Sequence, residues 1–389
     1  MGRQYSAKTF LRNAPNRLLQ QYFQKQDLNL GLDWVRLDET EVNPIFLALE
    51  ALPAATRSDV DTDFALIHEM ACEHGVQAIV EEGRNWGRDW AEQFAGMRNH
   101  YERAFWTFLN EPRRFHVAGC FHEMDRLGGW RRRFVGRRLE AQDDEDALAE
   151  LERRVRLFYR RQGRGRFCHV DYYERREPER HCYFAYPEDY ASTDVGYDEN
   201  GRFLHRPRRP AFEVIFVYRP EEGVLELHAK GNKRQADELA EIFCTTTLGL
   251  VKLPDDNDRV PFDLAVLKNP EFPFPTDPAD RISAVHVRQL RFDLPEPTRG
   301  RITVSAHASD HRPRALRDVV DRAIDRARMP LEALHVSQAK MRLVFAPHNG
   351  ERPKTLTFEV TYPDRCTLKD DPLDQIAKKY LSQWGIARD

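Results

Sequence analysis

The sequence predicts an α+β protein, with an all-helical N-terminal domain followed by two strand–strand–helix units. Three observations carry that prediction. Through the first 160 residues apolar side chains recur every three or four positions, the period of an amphipathic helix. After Gly163 the pattern changes to short runs rich in aromatic and β-branched residues, as in strands. A stretch with six prolines, 254–280, then separates two segments that each read as paired strands before a helix. The expected domains are 1–162, 163–253 and 281–389, with 254–280 as a Pro-rich linker.

Taken in order, Ser6 caps a first helix reaching Leu11, and Pro15 opens a second with Leu18, Leu19, Tyr22 and Phe23 on one face. Asn43 and Pro44 start a third, striped by Ile45, Phe46, Leu49 and Leu52. Ser58 starts a fourth that runs through Phe64, Ile67 and Ala71 to Ile79. The spacing of Trp86, Trp90, Phe94, Met97, Tyr101, Phe105 and Phe108 predicts one long helix over 84–110. Leu148, Leu151, Val155 and Phe158 predict another over 144–162.

Strands are expected at 167–173 and 181–186, with a polar surface loop over 188–210. A hairpin of 212–218 and 224–229 turns at Pro220–Gly223 and leads into a helix, 233–247. Past the linker, strands 282–294 and 301–308 flank a turn at 295–300 and precede a helix, 314–328. Strands 335–345 and 355–362 and a helix, 373–384, close the chain. His228-Ala229 and His307-Ala308 end strands at corresponding places, which points to a duplicated unit.

A net charge of −3 excludes a uniformly basic nucleic-acid binder, but 113–166 holds a local excess of Arg. Lys is absent between Lys25 and Lys230. That bias is typical of GC-rich bacterial coding, so only local clustering of Arg carries meaning. No run approaches the ~18 apolar residues of a membrane span. The N-terminus lacks the apolar core of a signal peptide, and its Gly2 and Ser6 fit a loose myristoylation pattern less well than a helix cap. Six cysteines without a Cys-x-x-Cys pair read as reduced thiols, hence a cytoplasmic protein.

Metal and cofactor motifs are weak, and neither is expected. His68, Cys72 and His74 share a helix but replace the second His of a zinc protease pattern with Cys and offer no further ligand. His116, Cys120 and His122 are no better. Cys168-His169 and His181-Cys182 lie on neighbouring strands, where alternation sends adjacent residues to opposite faces. His228-Ala-Lys230 resembles the His-x-Lys of phospholipase-D-type nucleases at those positions only, because Gln235 stands where that family has Asp. No P-loop, dinucleotide fingerprint or nucleophile elbow is present.

What stands out is Trp130-Arg131-Arg132-Arg133-Phe134 with Gly136-Arg137-Arg138, followed by Arg160, Arg161, Arg164 and Arg166. Arg grips phosphate bidentately, aromatic rings stack on bases and glycine lets backbone approach closely. The expected function is a non-enzymatic component of a bacterial multi-protein system, such as mobile-element or phage defence. It binds DNA or RNA, or an acidic partner subunit, through this patch, and no membrane. The alternative is a hydrolase or nuclease in the central α+β domain, with His169, His181, Glu213, Glu226 and His228 as candidate residues.

Overall fold

The structure, a computed structural model, describes residues 4–198, 201–255, 260–269, 271–295, 300–307, 312, 314–347, 353–369 and 372–388. Its contacts divide the chain into two units. The first is Met1–Asp125 with Arg175–Glu177 and Ala191–Arg208; the second is the remainder. No helix among the described residues is long and apolar enough to cross a membrane.

The first unit is built from α1 (Ala7–Asn13), α2 (Asn16–Lys25), α3 (Val42–Glu50), α4 (Ala54–Met70), α5 (Glu73–Asn85), α6 (Trp90–Ala95), α7 (His100–Asn110) and α8 (Pro112–Arg126), which ends at the unit boundary. Phe10, Leu18, Tyr22, Phe64, Ile79 and Phe105 meet in its core, where the rings of Phe10 and Phe64 stack at 4.3 Å. The single helix expected over 84–110 is three helices instead. Gly87 adopts a φ of 70°, and the side chains of Asp89 and Asn99 cap new helix starts by accepting from Ala91 and Glu102 backbone N–H groups. Local capping overrode an apolar period that continues across the breaks. Trp90, Phe94, Tyr101 and Phe105 still point inward, whereas Trp86 is half exposed. Likewise α4 starts at Ala54, ahead of Ser58, and the run expected to reach Ile79 breaks at Ala71–Cys72, where the Cys72 thiol accepts the Gly75 N–H.

The second unit is organised by β1 (Trp130–Phe134), α9 (Glu145–Arg160), β2 (Val170–Arg176) and β3 (Glu179–Ala185), then β6 (Val214–Arg219), β7 (Val224–His228) and α10 (Lys233–Thr246). It continues with β8 (Ile282–Asp293), β9 (Arg301–Ser305), α11 (Ala315–Ala323), β10 (His335–Phe345), β11 (Lys354–Thr361), β12 (Arg365–Cys366) and α12 (Pro372–Gln383). The strands β4 (Ser192–Tyr197) and β5 (Phe203–Arg208) form a separate hairpin within what the sequence reads as a loop.

The α+β units expected to be separate share one ten-stranded sheet, in the order β2-β3-β6-β7-β1-β12-β11-β10-β8-β9. Strand β1 is the seam, antiparallel to β7 on one side and β12 on the other. Residues directly opposite across antiparallel strands share a face. Tyr183, Phe216, Leu227 and Arg131 are opposite one another in turn, so the core formed with α9 and α10 around Leu151, Val155, Leu239 and Phe243 lies on the Arg131 face. Trp130, Cys366, Val360, Ala339 and Leu290 make a second such series. The other core, with Val320 of α11 and Tyr380 and Leu381 of α12, therefore lies on the Trp130 face. The helix layers cover opposite faces of the sheet's two halves.

The Pro-rich stretch is not a spacer. Phe262, Leu264 and Leu267 are buried in the second core, and Trp384 Nε1 donates to the Pro275 carbonyl at 2.9 Å. The hairpins β6–β7 and β8–β9 do not occupy equivalent places, since β7 is internal and β9 is an edge. Of the corresponding strand ends, Ala308 lies outside the described residues, as do Gly2 and most of the 295–300 turn.

Candidate polyanion-binding surface

The arginines that dominate the sequence take up several different situations. Strand β1 alternates Trp130, Arg132 and Phe134 on one face with Arg131 and Arg133 on the other, and all five are half-buried. Arg131 pairs with Asp364 at 3.1 Å, and Arg133 with Asp237 at 2.5 Å. Arg132 lies between Glu222 at 2.8 Å and Glu226 at 3.4 Å, and Glu226 also takes a hydrogen bond from buried Arg219 at 2.8 Å. Trp130 donates its ring N–H to the Leu127 carbonyl at 3.0 Å and lies 5.4 Å from the His228 ring. The segment expected to present open phosphate contacts and stacking faces is thus a central strand whose guanidiniums are matched by carboxylates.

Beyond it, Arg138 pairs with Glu221 at 3.1 Å, and Arg161 with Glu238. Arg164 is structural: it pairs with Asp189 at 2.8 Å and its guanidinium lies over Phe212 at 4.3 Å and Tyr159 at 4.9 Å. Its hydrogen bond holds the Asp189 carboxyl below the usual carboxylate range. Arg137, Arg160 and Arg166 are exposed and have no carboxylate partner among the described residues.

The residues considered for hydrolysis do not converge. His181 lies opposite Tyr218 on the face that α9 and α10 cover, with its Nδ1 2.8 Å from the Tyr172 hydroxyl. Glu226 and His228 share the other face. His169 sits between Glu152 and Asp171, at 3.2 Å from each, and Glu213 immediately precedes β6. Burial pushes the Cys168 and Cys244 thiols up to about 12 and Cys366 up to about 11, so these are poor nucleophiles near neutral pH. Among the described residues no group of three His, Cys, Asp or Glu could hold a metal ion. His68 is instead a core residue, with its Nδ1 2.9 Å from the Tyr101 hydroxyl.

His228 yields a pH prediction. Burial, helped by Arg365 and Lys230, lowers its pKa, against a backbone hydrogen bond with Gly128. The unfolded chain then binds a proton that the native state refuses. Stability from neutral His228 is complete above about pH 6.5 and is lost as pH falls through the lower native value. His228→Gln is expected to flatten the decline of unfolding free energy between about pH 7 and 5; an unchanged slope in urea titrations would exclude His228 as its source.

A different surface emerges from strand register. On the face of β8–β12 opposite the second core, one row across the sheet runs Arg131, Arg365, Thr361, Gln338, Arg291, Thr303. The next row is Glu359, Lys340, Gln289, Ser305, and a third places Arg342 between Thr357 and His286. Arg291, Lys340, Arg342 and Arg365 have no carboxylate partner among the described residues. Glu359, opposite Lys340, is hydrogen-bonded by Gln338. Lys340, Arg365, Thr303, Ser305 and Thr357 are exposed and the other cations half-buried. These three rows contain no Phe, Tyr or Trp and offer charge and hydroxyl donors without stacking platforms. Its signature is visible in 338–343, where Gln338, Lys340 and Arg342 alternate with Ala339, Met341 and Leu343.

No protein-family model, curated protein or solved structure matches the chain.

Proposed function

We propose that this protein is a non-enzymatic nucleic-acid-binding component of a multi-protein system, and that it grips the phosphate backbone. The observation that carries the reading is the cationic sheet face, where Arg291, Lys340, Arg342 and Arg365 project among threonines, glutamines and Ser305, with Glu359 the one carboxylate in these rows. Such a mixture supplies charge-assisted and neutral donors to phosphate oxygens. Without aromatic rings it favours backbone contact over base stacking, so duplexes of any sequence should bind alike. The exposed Arg137, Arg160 and Arg166 of the sequence-defined patch are auxiliary contacts in this reading.

Fluorescence anisotropy with a labelled DNA duplex tests it. Four phosphate contacts give a slope of log affinity against log salt of about −3.6. Changing Arg291, Lys340, Arg342 and Arg365 together to Gln is expected to make that slope shallower by about 3.6, leaving only what the auxiliary arginines contribute. Loss of binding on changing Arg137, Arg160 and Arg166 instead would return the site to the sequence-defined patch. Absence of any duplex binding at low salt would leave an acidic protein as the partner of this face.

A further inference from the structure

We infer a second, independent site: a pocket for an amphiphilic monocarboxylate on the core side of β8. A cavity of about 410 Å³ has an apolar floor of Val285, Val287 and Leu290 of β8, Leu316 and Val320 of α11, and Phe272 of the Pro-rich stretch, under a polar and charged rim. That is the size of small-ligand pockets. The cavity opens to solvent at its charged rim, so an occupant with an apolar body and a polar head matches both parts of its lining.

Arginines Arg314, Arg317 and Arg326 add positive charge to the lining, with Glu271 among them. Glu271 bridges Arg314, at 3.4 Å, and Arg317. Arg317 also approaches Asp321 at 3.6 Å, and Arg326 pairs with the same Asp321. Three guanidiniums thus share two carboxylates. The Glu271 side chain is more than half exposed, where an ion pair is weak and easily exchanged. Its carboxylate marks the position that a ligand's carboxylate would take. A ligand whose chain fills the apolar floor holds that head in place and displaces Glu271. The ligand class is therefore an apolar chain or ring ending in one carboxylate.

The test uses 1-anilinonaphthalene-8-sulfonate, an apolar ring system with one anionic group, displaced by decanoate or by 1-decanol, its uncharged counterpart. Decanoate is expected to displace the dye at least tenfold more effectively than decanol. Arg317→Met should weaken decanoate at least tenfold and leave decanol unchanged, whereas Glu271→Gln should strengthen decanoate by removing its competitor. Val287→Phe, which fills the cavity, should abolish both while a cooperative thermal melt persists. Equal displacement by decanoate and decanol, indifference of decanoate to Arg317→Met, or no saturable dye binding would each overturn the site. Should Val287→Phe fail to melt cooperatively, the Arg317→Met comparison still decides.

Discussion

Trp90→Asp is expected to destabilise the helical unit by about 4 kcal/mol or more, since truncating a buried Trp alone costs ~3–5 kcal/mol and the new carboxylate has no cation designed to meet it. Trp90 is 5% exposed, and its ring lies so close to α5 that a Cβ at Gly83 would fall 2.8 Å from it. Chemical denaturation followed by circular dichroism measures the loss. Glu92→Ala, on an exposed position of the same short helix, should change stability by less than about 0.5 kcal/mol. Asn99→Ala falls between the two. The Asn99 side chain accepts from the Glu102 N–H and donates to the Asn13 carbonyl at 3.0 Å, and losing such a cap costs about 1–2 kcal/mol. A loss in Glu92→Ala equal to that in Trp90→Asp would contradict the inward placement of the aromatic stripe.

Elements whose identity is set within a dozen residues were legible in the sequence. The helices α9 and α10 and the β6–β7 hairpin lie where apolar period and turn residues place them, because those signals are local. The mixed α+β character follows from them. The breaks inside 84–110 were written in Gly87, Asp89 and Asn99, but an apolar period that continues across the breaks concealed them. Phe262, Leu264 and Leu267 were concealed in the same way by the prolines around them, although their apolar character marks them for a core.

Strand β1 was illegible for a different reason. Charges on both faces of a short segment look like surface, and what neutralises them is remote in the chain: Arg131 meets Asp364 across 233 residues, and Arg133 meets Asp237 across 104. No window of sequence displays such pairings. The cationic sheet face was half legible. Alternation in β10 shows which residues point away from the core, but only the register of β8, β10, β11 and β12 aligns Arg291, Lys340, Arg342 and Arg365 on one surface.

That remoteness gives the last expected result, which concerns the carboxylates at the seam. Glu226 and Arg219 are each under a tenth exposed, and Glu226 serves both Arg219 and Arg132. Glu226→Ala takes from both guanidiniums a carboxylate they share in the middle of the sheet, while the more exposed Glu222 also lies near each of them. Breaking a buried pair from one side costs about 3–5 kcal/mol, and that loss is expected in urea unfolding. Arg132→Glu should be at least as damaging, because it sets a third carboxylate beside Glu222 and Glu226. The double change Arg219→Met with Glu226→Leu removes both members of the tightest pair and should recover part of the loss, since apolar replacement of a buried pair is often near neutral. An Arg132→Glu protein of native stability would show that β1 is not held by this network, and would restore its arginines as an open surface for phosphate.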